Sequence, residues 1–348
     1  MSLSQPSPTD DSPLTPTPLP LEAATATPRR TSRGRLTLRR FLRNRLALAG
    51  IGLVVLLFLM AYAGPLLDKW SYTDHDFESF LSGPSGNHWF GTDQAGTDIF
   101  ALTCRGLQKS LIIGILVGII TTALAAAVGA AAGFFGGWID RLLMWVVDLL
   151  LVLPSFLIIA IMHPVFQGKT WLIFVVLLAA FAWMITARIV RSMTQTLKDR
   201  EFVKAARYMG VSAPRIIIRH ILPSMASLLI IDATIQVSLA VIGESGLSYF
   251  GFGIQPPDVS LGTVIADGTN DATTYQWLFW FPAACLVLLG LAIAFIGDGL
   301  RDAFDPNSAN AKALARSTRK RRKDAAGPEA ATEDVQDVPG GTEVLGRA

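Results

Sequence analysis

Long apolar runs separated by short charged blocks organise this chain. The runs fall near 46–67, 110–134, 141–163, 171–190, 224–244 and 278–298. A stretch of about 18 or more apolar residues can cross a hydrocarbon core about 30 Å thick. The pattern therefore predicts an all-α integral membrane protein with six transmembrane helices. The third and fourth runs have the least clean bounds, and Pro154 and Pro164 interrupt the third. Proline is tolerated inside a membrane helix where its surroundings satisfy the freed carbonyl.

The polar blocks orient the runs. Eight Lys and Arg precede the first run, eight lie in 188–220 and nine follow residue 300. Loop 245–277 holds none, and loop 67–109 only Lys69, Arg105 and Lys109. Because Lys and Arg accumulate on the cytoplasmic side, both termini, the turn between runs two and three and the 191–223 loop are expected there. Loops 67–109 and 245–277 are expected outside. Residues 1–34 are rich in Pro, Ser and Thr, a composition that buries too little to order itself, and read as a disordered tail; 35–306 read as the membrane domain and 307–348 as a second disordered tail. Between tail and membrane, RLTLRRFLRNR (35–45) places Leu38, Phe41 and Leu42 on one side among arginines, as in a helix lying at headgroup level. The basic run RSTRKRRKD in the second tail suits either anionic lipid or solvent.

Composition agrees: 51% of residues are hydrophobic and 16% charged, against roughly 25% charged in a soluble domain. Cys104 and Cys285 are too few and too far apart for a disulfide framework or a zinc site. His75, His88, His163 and His220 are scattered and form no metal-ligand pattern. The nearest approach to a phosphate-binding loop is Gly168-Lys169-Thr170, but His163 stands where its first glycine belongs. Gly251 and Gly253 follow no strand, and neither HExxH nor GxSxG occurs. The chain is expected to bind no nucleotide or other cofactor and to catalyse no covalent step.

Ionisable residues inside membrane runs draw functional suspicion. Asp148, Asp232 and Glu244 are the candidates, yet they form no ladder down one helix as a proton relay would. Gly114 and Gly118, then Gly129, Gly133 and Gly137, make small-residue spacings that let helices approach closely.

The most informative polar stretch is DREFVKAARYMGVSAPRIIIRHILPS, 199–224. At 100° per residue Phe202, Val203, Ala206 and Met209 share one side, and Arg200, Lys204 and Arg207 another. Gly210 suits a left-handed helix C-terminus, Ser212 can cap a second short helix with Pro214 in its first turn, and Pro223 is expected to end it. Two short helices with an apolar side need a cover, either a separate soluble protein or lipid.

This segment resembles the coupling loop of binding-protein-dependent ABC importer permeases, matching it at Ala205, Ala206, Gly210 and Leu222-Pro223. Lys204 stands where that motif usually has glutamate, with Glu201 the nearest acid, as is common in the dipeptide and oligopeptide branch. FLRNRLALAG (41–50), HWFGTDQAGTDIF (88–100), AGFFGGWIDRLLMWVVDLLLVLPSF (132–156), ESGLSYFGFGIQPPDVSLGTVIADG (244–268) and GDGLRDAFDP (297–306) resemble the "C" permease of that branch in order and spacing. Thr97 departs from it, where arginine is usual.

The resemblance implies a type I importer permease fold in the cell membrane. It implies a homologous second permease enclosing a shared pathway, two ATPase subunits carrying ATP and Mg, and an extracellular substrate-binding protein, with membrane lipid around them and no nucleic acid. It implies ATPase coupling through Glu201, Lys204, Ala205, Ala206, Gly210, Leu222 and Pro223. Peptides are the implied cargo, with nickel complexes or glutathione as related cargoes. From the residues alone, a proton-coupled carrier or a membrane scaffold stays open.

Overall fold

The computed structural model describes residues 33–166 and 171–305. The tails read at 1–34 and 307–348, with the basic run near 316–324, lie outside the described residues apart from Arg33 and Gly34, as does Gly168-Lys169-Thr170.

Among the described residues the chain is helical, with two isolated β-bridges, His75 to Thr97 and Thr92 to Asp98. Helix α1 (Arg33–Phe41) leads through a short turn into α2 (Arg45–Leu67), capped by Asn44, whose side chain accepts from the amides of Leu46 and Ala47. The long α3 (Ile99–Phe135) follows, then α4 (Gly137–Val152), α5 (Ser155–Phe166), α6 (Trp171–Ala182) and α7 (Met184–Leu197). Helix α8 (Glu201–Tyr208), α9 (Ala213–Ile216), a π-turn at Ile217–Ile221 and α10 (Leu222–Ser224) lead into α11 (Ala226–Tyr249), and α12 (Leu261–Thr269) and α13 (Trp277–Phe304) complete the order.

Helices α2, α3, α11 and α13 are each long and apolar enough to span a membrane. The remaining two apolar runs are bent pairs: α4 and α5 meet at 81°, α6 and α7 at 48°. Each pair is long enough for one span if it crosses as a unit, which gives up to six. Pro154 lies at the first bend, where it cannot donate to the ladder.

Helix α3 begins eleven residues before the apolar run that announces it. Asp98 accepts from the Ala101 amide at 2.9 Å, which caps the helix before Arg105 and Lys109 appear. Residues 99–109 are thus helix, not loop. Likewise 245–249 continue α11, α12 lies inside the loop read at 245–277, and 191–197 belong to α7.

Helix α3 is the central post, with 23 buried residues along it. Its glycines set the spacing to its neighbours. A Cβ at Gly114 would lie 2.6 Å from Val241 Cγ2, and one at Gly118 2.6 Å from Val237 Cγ2, both on α11. At Gly133 it would meet the Arg191 carbonyl at 2.6 Å, and at Gly129 it would lie 2.8 Å from Val190 Cβ, both on α7. Gly137 instead opens α4 with φ +59, and a Cβ there would meet nothing within 4 Å, so it sets no helix spacing.

The segment 68–98 is fastened over the start of α3. The buried His88 ring places Nδ1 2.8 Å from Asp98 Oδ2 and Nε2 3.2 Å from Asp76 Oδ2, and it stacks on Trp70 with centroids 5.0 Å apart. The Glu78 amide, and then His88, hold the Asp76 carboxyl below the usual carboxylate range, whereas burial pushes that of Asp98 up. Thr97, at the position that departs from the resemblance, pairs its hydroxyl with His75 Nδ1 at 3.1 Å.

Candidate functional site

Helix α8 is only eight residues long and depends on its ends and its packing. Glu201 sits in its first turn and Arg207 in its last, each complementing the helix dipole. At its C-terminus the Gly210 amide donates to the Arg207 carbonyl at 3.0 Å and the Val211 amide to the Ala206 carbonyl at 3.1 Å. This bond pair is the Schellman motif, and it requires a left-handed residue between its arms. Gly210 supplies it at φ +78.

Ser212 is at the N-cap of α9, but only its backbone acts; its side chain makes no capping bond. Pro214 occupies the first turn, where a missing amide hydrogen is harmless. Pro223 does not end this helix as expected. Instead the ladder slips to a π-turn at Ile217–Ile221 just ahead of it, since proline has no amide hydrogen to donate. Ser224 Oγ donates to the His220 carbonyl at 2.6 Å, and the chain turns sharply only at Met225.

The apolar side read at 199–209 divides in two. Val203 and Ala206 are buried with Ile216, Ile221 and Met225 against Ala130 and Phe134 of α3 and Val190 of α7. The chain covers that side itself. Phe202 and Met209 stay outside, and Tyr208 and Ile218 join them at 89% and 67% exposure. Of the seven residues expected to couple to an ATPase, Glu201, Lys204, Ala205, Gly210 and Pro223 are exposed, Leu222 is half-buried and Ala206 is buried. Ala206 therefore positions α8 and is not available to a partner. Lys204, Ala205 and Tyr208 lie three, four and seven residues after Glu201, so the four share the outward stripe. Tyr208 was legible from that spacing. Beside this stripe an open depression of about 590 Å³ is lined by Ser212, Pro214, Arg215, Ile218, Arg219 and Pro223.

Three cations tie this unit to the α3–α4 elbow. Arg191 donates to Asp140 through Nε at 2.5 Å and Nη2 at 2.6 Å. Lys198 Nζ donates to the Gly133 carbonyl at 3.1 Å, and the Arg207 guanidinium lies 5.1 Å from the Phe134 ring centroid. Arg207 thus fastens α8 to α3, while Arg191 and Lys198 fasten α7 and its end to α4 and α3.

The intramembrane carboxylates are spent on packing. Asp148 pairs with Arg188. Asp232 accepts from Thr122 at 3.2 Å and Thr186 at 2.8 Å. Glu244 is fully buried and accepts from Ser110, Ser245 and Ser248. Each binds a neighbouring helix through hydroxyls or one arginine, and among the described residues no hydrogen bond or ion pair leads from one to the next. At the opposite end of the molecule Asp258 is 2.7 Å from Lys109 Nζ, and Asp271 accepts from Gln94 Nε2 at 2.5 Å. A cavity of about 720 Å³ opens between these loops.

Residues 107–309 match the family described as "Binding-protein-dependent transport system inner membrane component", and residues 32–84 match "N-terminal TM domain of oligopeptide transport permease C". The oligopeptide transport system permease protein OppC of Mycobacterium tuberculosis is 55% identical over 278 residues, which are 80% of this chain and 96% of that protein. The protein of the same description in Escherichia coli K12 is 40% identical over 270 residues, 77% of this chain and 89% of the other. A putative peptide permease of Brucella suis is 37% identical over 271 residues, with 77% and 89% covered. Among solved structures, an inward-facing MetNI methionine ABC transporter aligns with TM-score 0.45 and 22% identity over 59% of this chain and 97% of that one. The chain belongs to the binding-protein-dependent transport system inner membrane components and is a multi-pass membrane protein of that family.

Proposed function

We propose that this protein is one permease of an ATP-driven importer of oligopeptides. It crosses the membrane six times with both termini in the cytoplasm, each bent pair crossing as one span. Residues 35–306 form the permease domain, and the segments on either side of it lie in the cytoplasm. A homologous permease completes the pathway, an extracellular binding protein delivers cargo to the face built by 68–98 and 250–276, and two ATPase subunits engage α8 and α9. ATP and Mg belong to those subunits, and this chain itself carries out no covalent chemistry. The peptide cargo rests on the relatives.

The single observation that carries the coupling role is the outward stripe of α8, where Glu201, Lys204, Ala205 and Tyr208 stand exposed on a helix whose other side is fixed to α3 and α7. A surface held this rigidly can pass force inward. ATP-driven closure of the ATPases then favours one permease conformation over another, as differential binding requires.

The test is charge reversal at the start of the stripe. Glu201→Lys is expected to weaken co-purification of the ATPase while this chain still assembles with its partner permease. Unchanged ATPase recovery would count against this surface.

A further inference from the structure

Helix α1 is short and two-sided. At 100° per residue Leu38, Phe41 and Leu42 fall within one arc, while Arg39, Arg40 and Arg43 fall outside it. The Leu42 amide donates to the Leu38 carbonyl at 2.9 Å, so the twist holds to the end of that arc. Packing then divides it. Phe41 faces the protein: a Cβ at Gly299 of α13 would lie 3.2 Å from Phe41 Cε2 and 2.3 Å from Ala47 Cβ, so the bare glycine lets both residues settle on α13. Beside them Asn44 Nδ2 donates to Asp302 Oδ2 at 3.4 Å. Leu38 and Leu42 face away and are at least half exposed, as is Leu46 in the first turn of α2. Arg39, Arg40 and Arg43 are exposed as well, and among the described residues none of them makes an ion pair.

Position decides what covers this face. Four residues separate α1 from Leu46, where the apolar run of α2 begins, and the contacts with α13 hold that short turn. The end of α1 is therefore pinned where α2 enters hydrocarbon, beside a headgroup layer about 5–8 Å deep. Leu48, Val55, Leu56 and Leu59 of α2 are exposed in their turn, so the leucines of α1 continue the apolar surface of a membrane-spanning helix. Apolar side chains on one side and unpaired arginines on the other are what a helix lying in an interface presents. We propose that α1 is a docking surface for anionic phospholipid. Leu38 and Leu42 enter the acyl chains, and Arg39, Arg40 and Arg43 gather headgroups of net negative charge around them. Arginine meets a phosphate with matched geometry, and each basic residue near such a surface favours it by about fivefold. An acidic protein partner would satisfy the arginines but not two leucines held at the level of hydrocarbon. The proposal requires only that α2 crosses a bilayer, so it stands or falls separately from the transport reading.

The assembled transporter, carrying a fluorophore on Leu38→Cys, tests this in nanodiscs of equal phosphatidylglycerol and phosphatidylcholine. One lipid or the other bears a quenching nitroxide on its acyl chain, and the protein without the added cysteine supplies the background from the buried Cys104 and Cys285. Both lipids are expected to quench, with a local excess of phosphatidylglycerol of at least about fivefold, the share of one arginine. Arg39→Gln, Arg40→Gln and Arg43→Gln together should even out the two lipids while the label stays quenched. Lysine at the same three positions should keep the preference. Glutamine and lysine suit a helix about as well as arginine, so the contrast reads charge and not folding. Equal quenching by both lipids in the unaltered helix overturns the proposal, as does a preference that survives the glutamines. A label that neither lipid quenches also overturns it. So does quenching that this chain shows alone and loses in the assembled transporter, which assigns the face to a protein partner.

Discussion

Arg191 of α7 grips Asp140 at the start of α4 through two parallel bonds of 2.5 and 2.6 Å. Both side chains are partly buried, and both bonds of the fork are charge-assisted. Asp140→Asn should therefore cost about 2 kcal/mol, the scale of hydrogen bonds to charged groups. Arg191→Lys should keep the charge, lose the fork and fall between. The neighbouring Arg188–Asp148 pair is joined by one contact rather than a fork, so Asp148→Asn should cost less than Asp140→Asn. Thermal unfolding of the purified transporter separates the two, and equal effects would remove the distinction drawn between these pairs.

Gly210 has φ +78 and open space where a Cβ would stand. The cost of a side chain there is conformational alone, about 1–2 kcal/mol for a left-handed L-residue. Gly210→Val should tilt α9 against α8 and separate ATP hydrolysis from uptake, while Gly210→Asn, which accepts this conformation, should retain most coupling. Paired ATPase and uptake assays decide it. Full coupling in the valine variant would mean the turn is not the transmitting joint.

Helix spacing makes a sharper steric prediction. Gly133→Ala drives a Cβ to 2.6 Å from a backbone carbonyl that cannot step aside, and Gly118→Ala meets Val237 at the same distance. Each should destabilise by about 1–3 kcal/mol, as overpacking does. Gly52→Ala meets nothing within 4 Å and should be neutral. Size-exclusion profiles after graded heating report all three.

Segment 68–98 carries a pH dependence of predictable sign. Asp76 is held below its ordinary 3.8 by the Glu78 amide and His88. Its contribution to holding 68–98 is complete above pH 3.8 and is lost as pH falls through the lowered value. Asp98 acts oppositely, because burial raises it and favours its protonated form. Hydrogen exchange of the 76–98 amides should show an acid-labile arm in the native protein that is missing in Asp76→Asn. An identical acid arm in both would assign it elsewhere.

Apolar runs announced the membrane helices because a single physical requirement, burial in hydrocarbon, writes itself directly into composition. The first run (46–67) lies within one residue of α2 (Arg45–Leu67) at its start and meets its end. The start of α3 was hidden because Arg105 and the buried Lys109 pair with Asp258, so the helix continues where hydropathy has already stopped. The 48° bend at Trp183 has no proline to signal it. Gly210 was legible because a left-handed residue after a helix narrows the choice to few residue types. The division of the α8 apolar side was not, since only tertiary packing reveals that Val203 and Ala206 face α3 while Phe202 and Met209 do not.

The most direct test of the account is ATP-driven uptake in proteoliposomes. This chain is reconstituted with its partner permease and ATPase subunits, and a labelled oligopeptide is presented with its binding protein. Uptake should require ATP and the whole assembly, should persist when the proton gradient is collapsed, and should fall with Glu201→Lys. Uptake by this chain alone, driven by a proton gradient and indifferent to ATP, would contradict it.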